Sequence, residues 1–399
     1  LKLPNTIGLM LITILFTVGV YGLSFIDNTL LKLEENIIGQ VDFRTVLLDV
    51  MLSFLLFAGA LHTNFENLKT QRWPILVFAT IGVLTSTFLV GTGTYYFLQM
   101  LHMDVQYIHC LLFGALISPT DPIAVLGILK KAGVPKRLEA KFVGESLFND
   151  GVGVVVFSTI FAFSGGDSIK MADVAILFGK EVIGGLLMGF ILGYITFQLL
   201  KSIDDYTIEV IGTLATVMVG TAIAHKVGVS APLAMVTAGL VVGHQNVRAS
   251  SMSETTESYV DKFWELIDIL FNTILFVLIG MEMLVLTFKM NYIYAGGIAV
   301  PVVLLCRYLS LYIPIKFFKR RLDFVKHTNF ILTWGGLRGG ISIAMALSLT
   351  EDMHRSLFLV MTYIIVVFSI IVQGLTVGKI VKRITKDEIS ESRQAEAYK

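Results

Sequence analysis

The sequence predicts an all-α polytopic membrane protein, because long apolar runs recur along it and charge is scarce. Hydrophobic residues make up 55% of its 399 positions and charged residues 15%, with a mean hydropathy of +0.77. A water-soluble domain needs a polar surface that this composition cannot supply. Inside a bilayer every backbone N–H and C=O must be satisfied internally, which leaves helices or closed barrels. A barrel reads as alternating ten-residue segments, whereas several runs here exceed twenty residues. That is the length a core of about 30 Å requires of a helix.

Apolar stretches broken by charged or turn-rich joints give twelve expected spans: 5–25, 45–64, 74–99, 108–129, 143–164, 173–200, 207–224, 230–245, 264–288, 292–315, 329–349 and 355–380. Basic residues test the alternation, since Lys and Arg accumulate on the cytoplasmic side. One set of joints, with both chain ends, carries 22 of the 31, including Lys130, Lys131, Lys136, Arg137, Lys141 and the cluster from Lys316 to Lys326. The other set carries six: Lys32, Arg44, Lys170, Lys226, Lys289 and Arg355. Lys180, Arg307 and Arg338 fall inside spans. The asymmetry predicts a multi-pass protein of the cell membrane, surrounded by lipid, with both ends cytoplasmic. Residues 1–381 form one transmembrane domain, and 382–399 a short charged tail.

Leu1 opens the chain with no charged n-region or cleavage site after it, so no signal peptide is expected. The net charge of +1 suggests no nucleic-acid partner. Cys110 and Cys306 lie in separate runs and make no disulfide framework. The seven histidines lack metal-ligand spacing, His102 and His109 being the closest pair in sequence. No cofactor is expected, and no nucleophile–base pair suggests an intramembrane enzyme.

A faint internal echo links LPNTIGLMLI at 3–12 with SAPLAMVTAG at 230–239, opening the first and eighth spans. Segments seven spans apart face opposite ways, and the fourth and eleventh spans form another such pair. The fourth is interrupted by Pro119 and Pro122, the eleventh by Gly335, Gly336, Gly339 and Gly340. Paired interrupted segments in inverted halves mark a transporter's central site.

Ionisable residues at membrane depth are costly and invite a functional reading. In Ser118-Pro119-Thr120-Asp121-Pro122 two prolines open the helix. The freed carbonyls, with the Thr120 hydroxyl and Asp121 carboxylate, are oxygen donors suited to a hard cation such as sodium. The plainer reading is a kink whose Asp caps the next half-helix; the two are compatible. The fifth span opens Gly144-Glu145-Ser146-Leu147-Phe148-Asn149-Asp150-Gly151. Glu145 and Asn149 share one helical face, and Ser146 and Asp150 an adjacent one. Desolvation favours the neutral form of a carboxylate and a bound cation the ionised one, so one carboxylate can hold a proton or a sodium ion in turn. An Asp held in a polar packing contact is the structural alternative. Arg307 is the expected partner of Glu145, and Arg338 is placed to support the unwound backbone of the eleventh span or to set a positive field. For Asp49, Lys180, Glu181, Glu209, Asp268 and Glu282, near span ends, snorkelling or interfacial placement is the default, with a solvated cavity the alternative.

ISPTDPIAV at 117–125, GESLFNDG at 144–151 and GGLRGGISIAMAL at 335–347 resemble the NhaP-type sodium/proton antiporters. These belong to the first family of monovalent cation:proton antiporters, which includes the animal sodium/hydrogen exchangers. The resemblance covers nearly the whole chain. It implies a homodimer with a thirteen-helix inverted-repeat fold, two crossed discontinuous helices, and a mobile core domain (helices including about 74–164 and 264–381) beside a dimerisation domain. It also implies that Asp150 carries sodium (or lithium) and protons alternately. Asp121, Ser146 and the Thr120 backbone complete the coordination, while Asn149 and the Glu145–Arg307 bridge hold the core. The Asn-Asp pair implies electroneutral one-for-one exchange. The chain departs from the family in two ways. It shows twelve expected spans, so the family's first helix is expected to be missing from it. Phe57 and Ala58 stand where relatives often carry an acidic residue, which keeps potassium/proton or broad-specificity exchange open beside sodium. A cation channel or a cation-regulated sensor is the more distant alternative.

Overall fold

The computed structural model describes residues 45–121, 136–164, 171–203, 205–245, 247–248, 252–285, 289–318 and 327–384, with isolated positions between 8 and 19. Their regular structure is helical, joined by one isolated antiparallel bridge between Asp121 and Leu337. Among the described residues seven helices are long and apolar enough to cross a membrane by length and composition. In chain order the helices are α1 (Thr45–Leu61), the short α2 (Phe65–Thr70), α3 (Arg72–Met100), α4 (Tyr107–Ile117) and α5 (Lys136–Phe163). Then follow α6 (Met171–Ser202), α7 (Tyr206–Val227), α8 (Ala231–Val242), α9 (Glu254–Val285) and α10 (Met290–Phe318). The half-helices α11 (Thr328–Gly335) and α12 (Gly340–Leu347) lead to α13 (Arg355–Ile384).

Every expected span from residue 45 onward overlaps a described helix. The expected first span, 5–25, lies almost wholly outside the described residues, as do the second half of the fourth and residues 385–399 of the tail. Helix α13 runs through Ile384, so the expected domain end at 381 falls inside a helix.

Local chemistry sets the ends. Asp205 accepts hydrogen bonds from the N–H groups of Thr207 (2.8 Å) and Ile208 (3.2 Å) to start α7. Gly228, at φ +71°, closes it in the left-handed conformation glycine tolerates. Ser230 then caps α8 through Leu233 N, with Pro232 in the first turn.

Among the described residues three buried apolar clusters organise the packing. The largest joins α3, α4, α5, α10, α11, α12, α13 and the second half of α9 around Phe113, Leu116, Phe358 and Ile343, and takes in Leu47 and Met51 of α1 and Leu233 of α8. A second joins α1, α6, α7, α8 and the first half of α9 around Phe57, Met235 and Trp264. Helix α9 therefore belongs to both of these, with Trp264 in one and Leu275 in the other. Close approach of α6 and α8 rests on Gly189, where any Cβ would overlap the Ala234 carbonyl.

Candidate functional site

The site forms where two unwound segments cross. Helix α4 stops at Ile117 because a helical Ser118 carbonyl would need an N–H at position 122, which is proline. Arg338 supplies the donors instead: its Nη1 donates to the carbonyls of Ser118 (2.6 Å) and Pro119 (2.8 Å). The opposite segment breaks at Gly335–Gly339, between α11 and α12. Asp121 N donates to Leu337 O at 2.8 Å, tying the two strands of backbone together. Arg338 N donates to Ser369 Oγ (2.9 Å), Ser369 donates to Gln373 Oε1 (2.7 Å), and Gln373 Nε2 donates to Trp334 O (3.0 Å). Ser369 and Gln373 bound a wide π turn in α13, a local rewinding of the kind that accompanies functional sites. Broken backbone at membrane depth is tolerable only when satisfied in this way.

Helix α5 presents two faces to the crossing. On one, Asn149 Nδ2 donates to Thr120 Oγ1 (2.8 Å), and its Oδ1 accepts from Thr120 N (3.4 Å). On that face too, Glu145 accepts from Arg307 Nη2, both residues being buried. On the other face, Ser146 Oγ donates to the Thr120 carbonyl, and Ser146 and Asp150 line a cavity of about 760 Å³ that Asp121 also borders. Asp150 is 7% exposed. Gly153 lets α5 lie directly on Pro119, since a Cβ there would overlap the proline ring.

Asp121, Ser146 and Asp150 thus share the cavity wall. Glu145, Asn149 and Arg307 stand behind it, and Thr120 links the two groups. Arg338 holds the backbone beneath. Two carboxylates facing one cavity repel each other unless a cation or proton lies between them.

The cavity also contains acidic groups from α9. Asp268, for which snorkelling or interfacial placement is the default and a solvated cavity the alternative, takes the alternative and lines the wall with Asp261, Glu265 and Asn272. The spacing 261, 265, 268, 272 is one face of a helix, and that stripe was the legible signal. Asn272 Nδ2 holds Asp268 through Oδ1 (3.0 Å) and its carbonyl (2.9 Å). Glu209 is also buried, at 1% exposure, although Tyr206, Thr207 and Ile208 before it in α7 are exposed. Asp49 and Lys180 are exposed and Glu181 is half-buried; the Glu282 side chain is outside the description. Ala58 and Gly59 border the cavity, whereas Phe57 turns away onto Trp264, with ring centres 4.7 Å apart. Next to the cavity-lining Asp261, Arg248 Nη1 bridges Glu257 (3.1 Å) and Asp261 (3.0 Å), and its Nη2 donates to Leu61 O (3.0 Å).

Residues 1–383 match the family described as the transmembrane region of sodium/hydrogen exchangers. The chain belongs to that family. Within it, the Na(+)/H(+) antiporter NhaP of Pseudomonas aeruginosa is 47% identical over 390 residues, spanning 96% of this chain and 92% of that one. The Na(+)/H(+) antiporter NhaH of Halobacillus aidingensis is 32% identical over 392 residues, covering 96% and 93%. In fold, the exchanger-family chain matches the solved structure of the sodium proton antiporter MjNhaP1 from Methanocaldococcus jannaschii at pH 8. The TM-score is 0.69 at 18% identity, over 93% of this chain and 99% of that one. The helices α4, α11 and α12 around the crossing all fall within the family match.

Proposed function

We propose that this protein exchanges sodium, or lithium, for protons across the cell membrane, one for one and without net charge movement, by alternating access. The observation that carries the proposal is Asp150, a buried carboxylate at the wall of a cavity it shares with Asp121 and Ser146. Family membership and the names of the relatives support the same reading. A cavity of about 760 Å³ has room for roughly 25 waters at about 30 Å³ each. A cation therefore approaches hydrated and loses its shell only at the oxygens of Asp150, Asp121, Ser146 and the Thr120 backbone. Asn149 and the Glu145–Arg307 pair keep α5 and the crossing in register, and Arg338 keeps the freed carbonyls in place.

Exchange follows from competition at one carboxylate. Sodium or a proton neutralises Asp150, and only the neutralised site passes through the apolar barrier. The mouth lies beside Asn64, Asn67 and Asp261, among the joints bearing Lys69, Arg72, Arg248 and Lys262. That side is cytoplasmic by the distribution of basic residues, and the protein works as a homodimer in the lipid.

The test is proton flux in reconstituted liposomes, read with a pH-sensitive dye on pulses of sodium, lithium and potassium. The parent responds to sodium or lithium without needing a compensating ionophore, and Asp150→Asn loses the response while eluting as folded protein. Because protons compete for the same oxygens, the apparent KM for sodium falls as pH rises. Retained exchange in Asp150→Asn would remove this carboxylate from the mechanism. The cavity wall at Ala58 and Gly59 carries no acid, which favours potassium as a second reading; a response to potassium alone decides for it.

A further inference from the structure

Helix α4 and the start of α13 touch through two ring contacts, none of whose residues lines the cavity. Phe113 stacks on Phe358 with ring centres 5.2 Å apart and planes at 19°. Four residues earlier on each helix, one turn further from the crossing, His109 meets His354, with centroids 6.0 Å apart at 63°. From His109 to Ile117 the helix rises about 12 Å, so this pair lies toward the end of the bundle opposite the cavity mouth.

The pair is not ordinary aromatic packing. His109 is 6% exposed and its Nδ1 has no hydrogen-bond partner. A buried unsatisfied polar atom costs about 1–3 kcal/mol, which a phenylalanine in the same space would avoid. His354 is half-buried and left-handed, at φ +59°, and its side chain caps nothing on α13. Beside it Glu351 and Asp352 are exposed and add negative charge to the approach.

We infer that His109 and His354 form a binding site for a borderline divalent transition-metal ion, Zn2+ or Ni2+, which ties α4 to α13. Metal–nitrogen bonds of about 2.0–2.1 Å require a nitrogen of each ring to turn toward the ion, a movement open to the half-buried His354 on its turn. Among the described residues no group of three or more His, Cys, Asp or Glu is arranged for a metal, so water completes the coordination. Imidazole donors select Zn2+, Ni2+ or Cu2+, whereas magnesium and sodium take oxygen ligands. The transported cation therefore does not compete for this site.

The experiment uses purified, tag-free full chain, with binding of Ni2+ and Zn2+ followed by isothermal titration and by the thermal midpoint. The parent binds one ion and its midpoint rises, while Mg2+ does nothing. His109→Gln and His354→Asn each weaken binding at least tenfold. Asparagine tolerates the left-handed backbone at 354, so that variant keeps its turn and its metal-free sodium-driven flux stays at the parent level. Failure of the parent to bind either ion, or unchanged binding in both variants, overturns the site.

Discussion

Glu145 and Asp150 sit five positions apart on α5 and meet opposite environments. At about 100° per residue, Glu145 and Asn149 turn toward Arg307 and Thr120, and Ser146 and Asp150 toward the cavity. Glu145 and Arg307 are 2% and 1% exposed, and each is the hydrogen-bonded counter-charge of the other. Removing one partner of such a pair leaves an uncompensated buried charge worth about 3–5 kcal/mol. Glu145→Gln should lower the thermal midpoint sharply in detergent, and Glu145→Leu combined with Arg307→Met should recover much of the loss. A double variant no more stable than the single one would mean that packing, not charge, holds this position. The pairing was legible as two charges deep in apolar runs, with Arg307 the expected partner, and the structure joins the two.

At the scale of elements, the crossing works because each broken helix satisfies the other. The α4 break exposes carbonyls that Arg338 fills, and the α12 segment reaches back through Leu337 O to Asp121 N. Gly339 brings the two so close that a Cβ there would lie 2.7 Å from Asp121 Oδ2. Its backbone, at φ −117° and ψ −166°, is extended and open to any residue. A Cβ there would also lie 2.8 Å from Asp121 Cβ, so Gly339→Ala should push the whole Asp121 side chain aside, raising the apparent KM for sodium severalfold with a modest fall in thermal midpoint. A large fall in midpoint would show instead that the crossing itself cannot yield. Both breaks were readable from Pro119, Pro122 and the four glycines, since these residues cannot continue a helix stably. The hydrogen bonds from Ser369 and Gln373 were not readable, because nothing local distinguishes them from other polar residues in an apolar run.

Across the whole molecule, a smaller third cluster of Leu52, Leu56, Leu68, Ile75, Leu147 and Leu240 forms a seam between α5 on one side and α1 and α8 on the other. The proposed alternating access requires this seam to slide, and α1 and α9, each with residues in both larger clusters, must then accommodate the movement. A Cβ at Gly59 would lie 3.6 Å from Leu147 Cδ1, so α1 and α5 touch here beside the cavity. Gly59→Cys with Leu147→Cys, joined by a short thiol crosslinker, should arrest exchange, and reduction of a cleavable linker should restore it. The native Cys110 and Cys306 are both buried, which keeps background labelling low. Full exchange in the crosslinked protein would rule out sliding at this seam.

Composition and periodicity by themselves determined that the chain is helical and membrane-embedded, where the helices from residue 45 onward run, and which two are broken. These are local consequences of apolar length and of residues that cannot sustain a helix. The motifs around Asp121, Asp150 and Arg338 also brought the family into view. The tertiary structure alone decided that Glu209 is buried, that Phe57 packs on Trp264, and that His109 meets His354. Each depends on how a helix is rotated about its axis and on what lies beside it. Nearly all-apolar helices carry little amphipathic signal to set that rotation, so only the packing of distant segments could fix it.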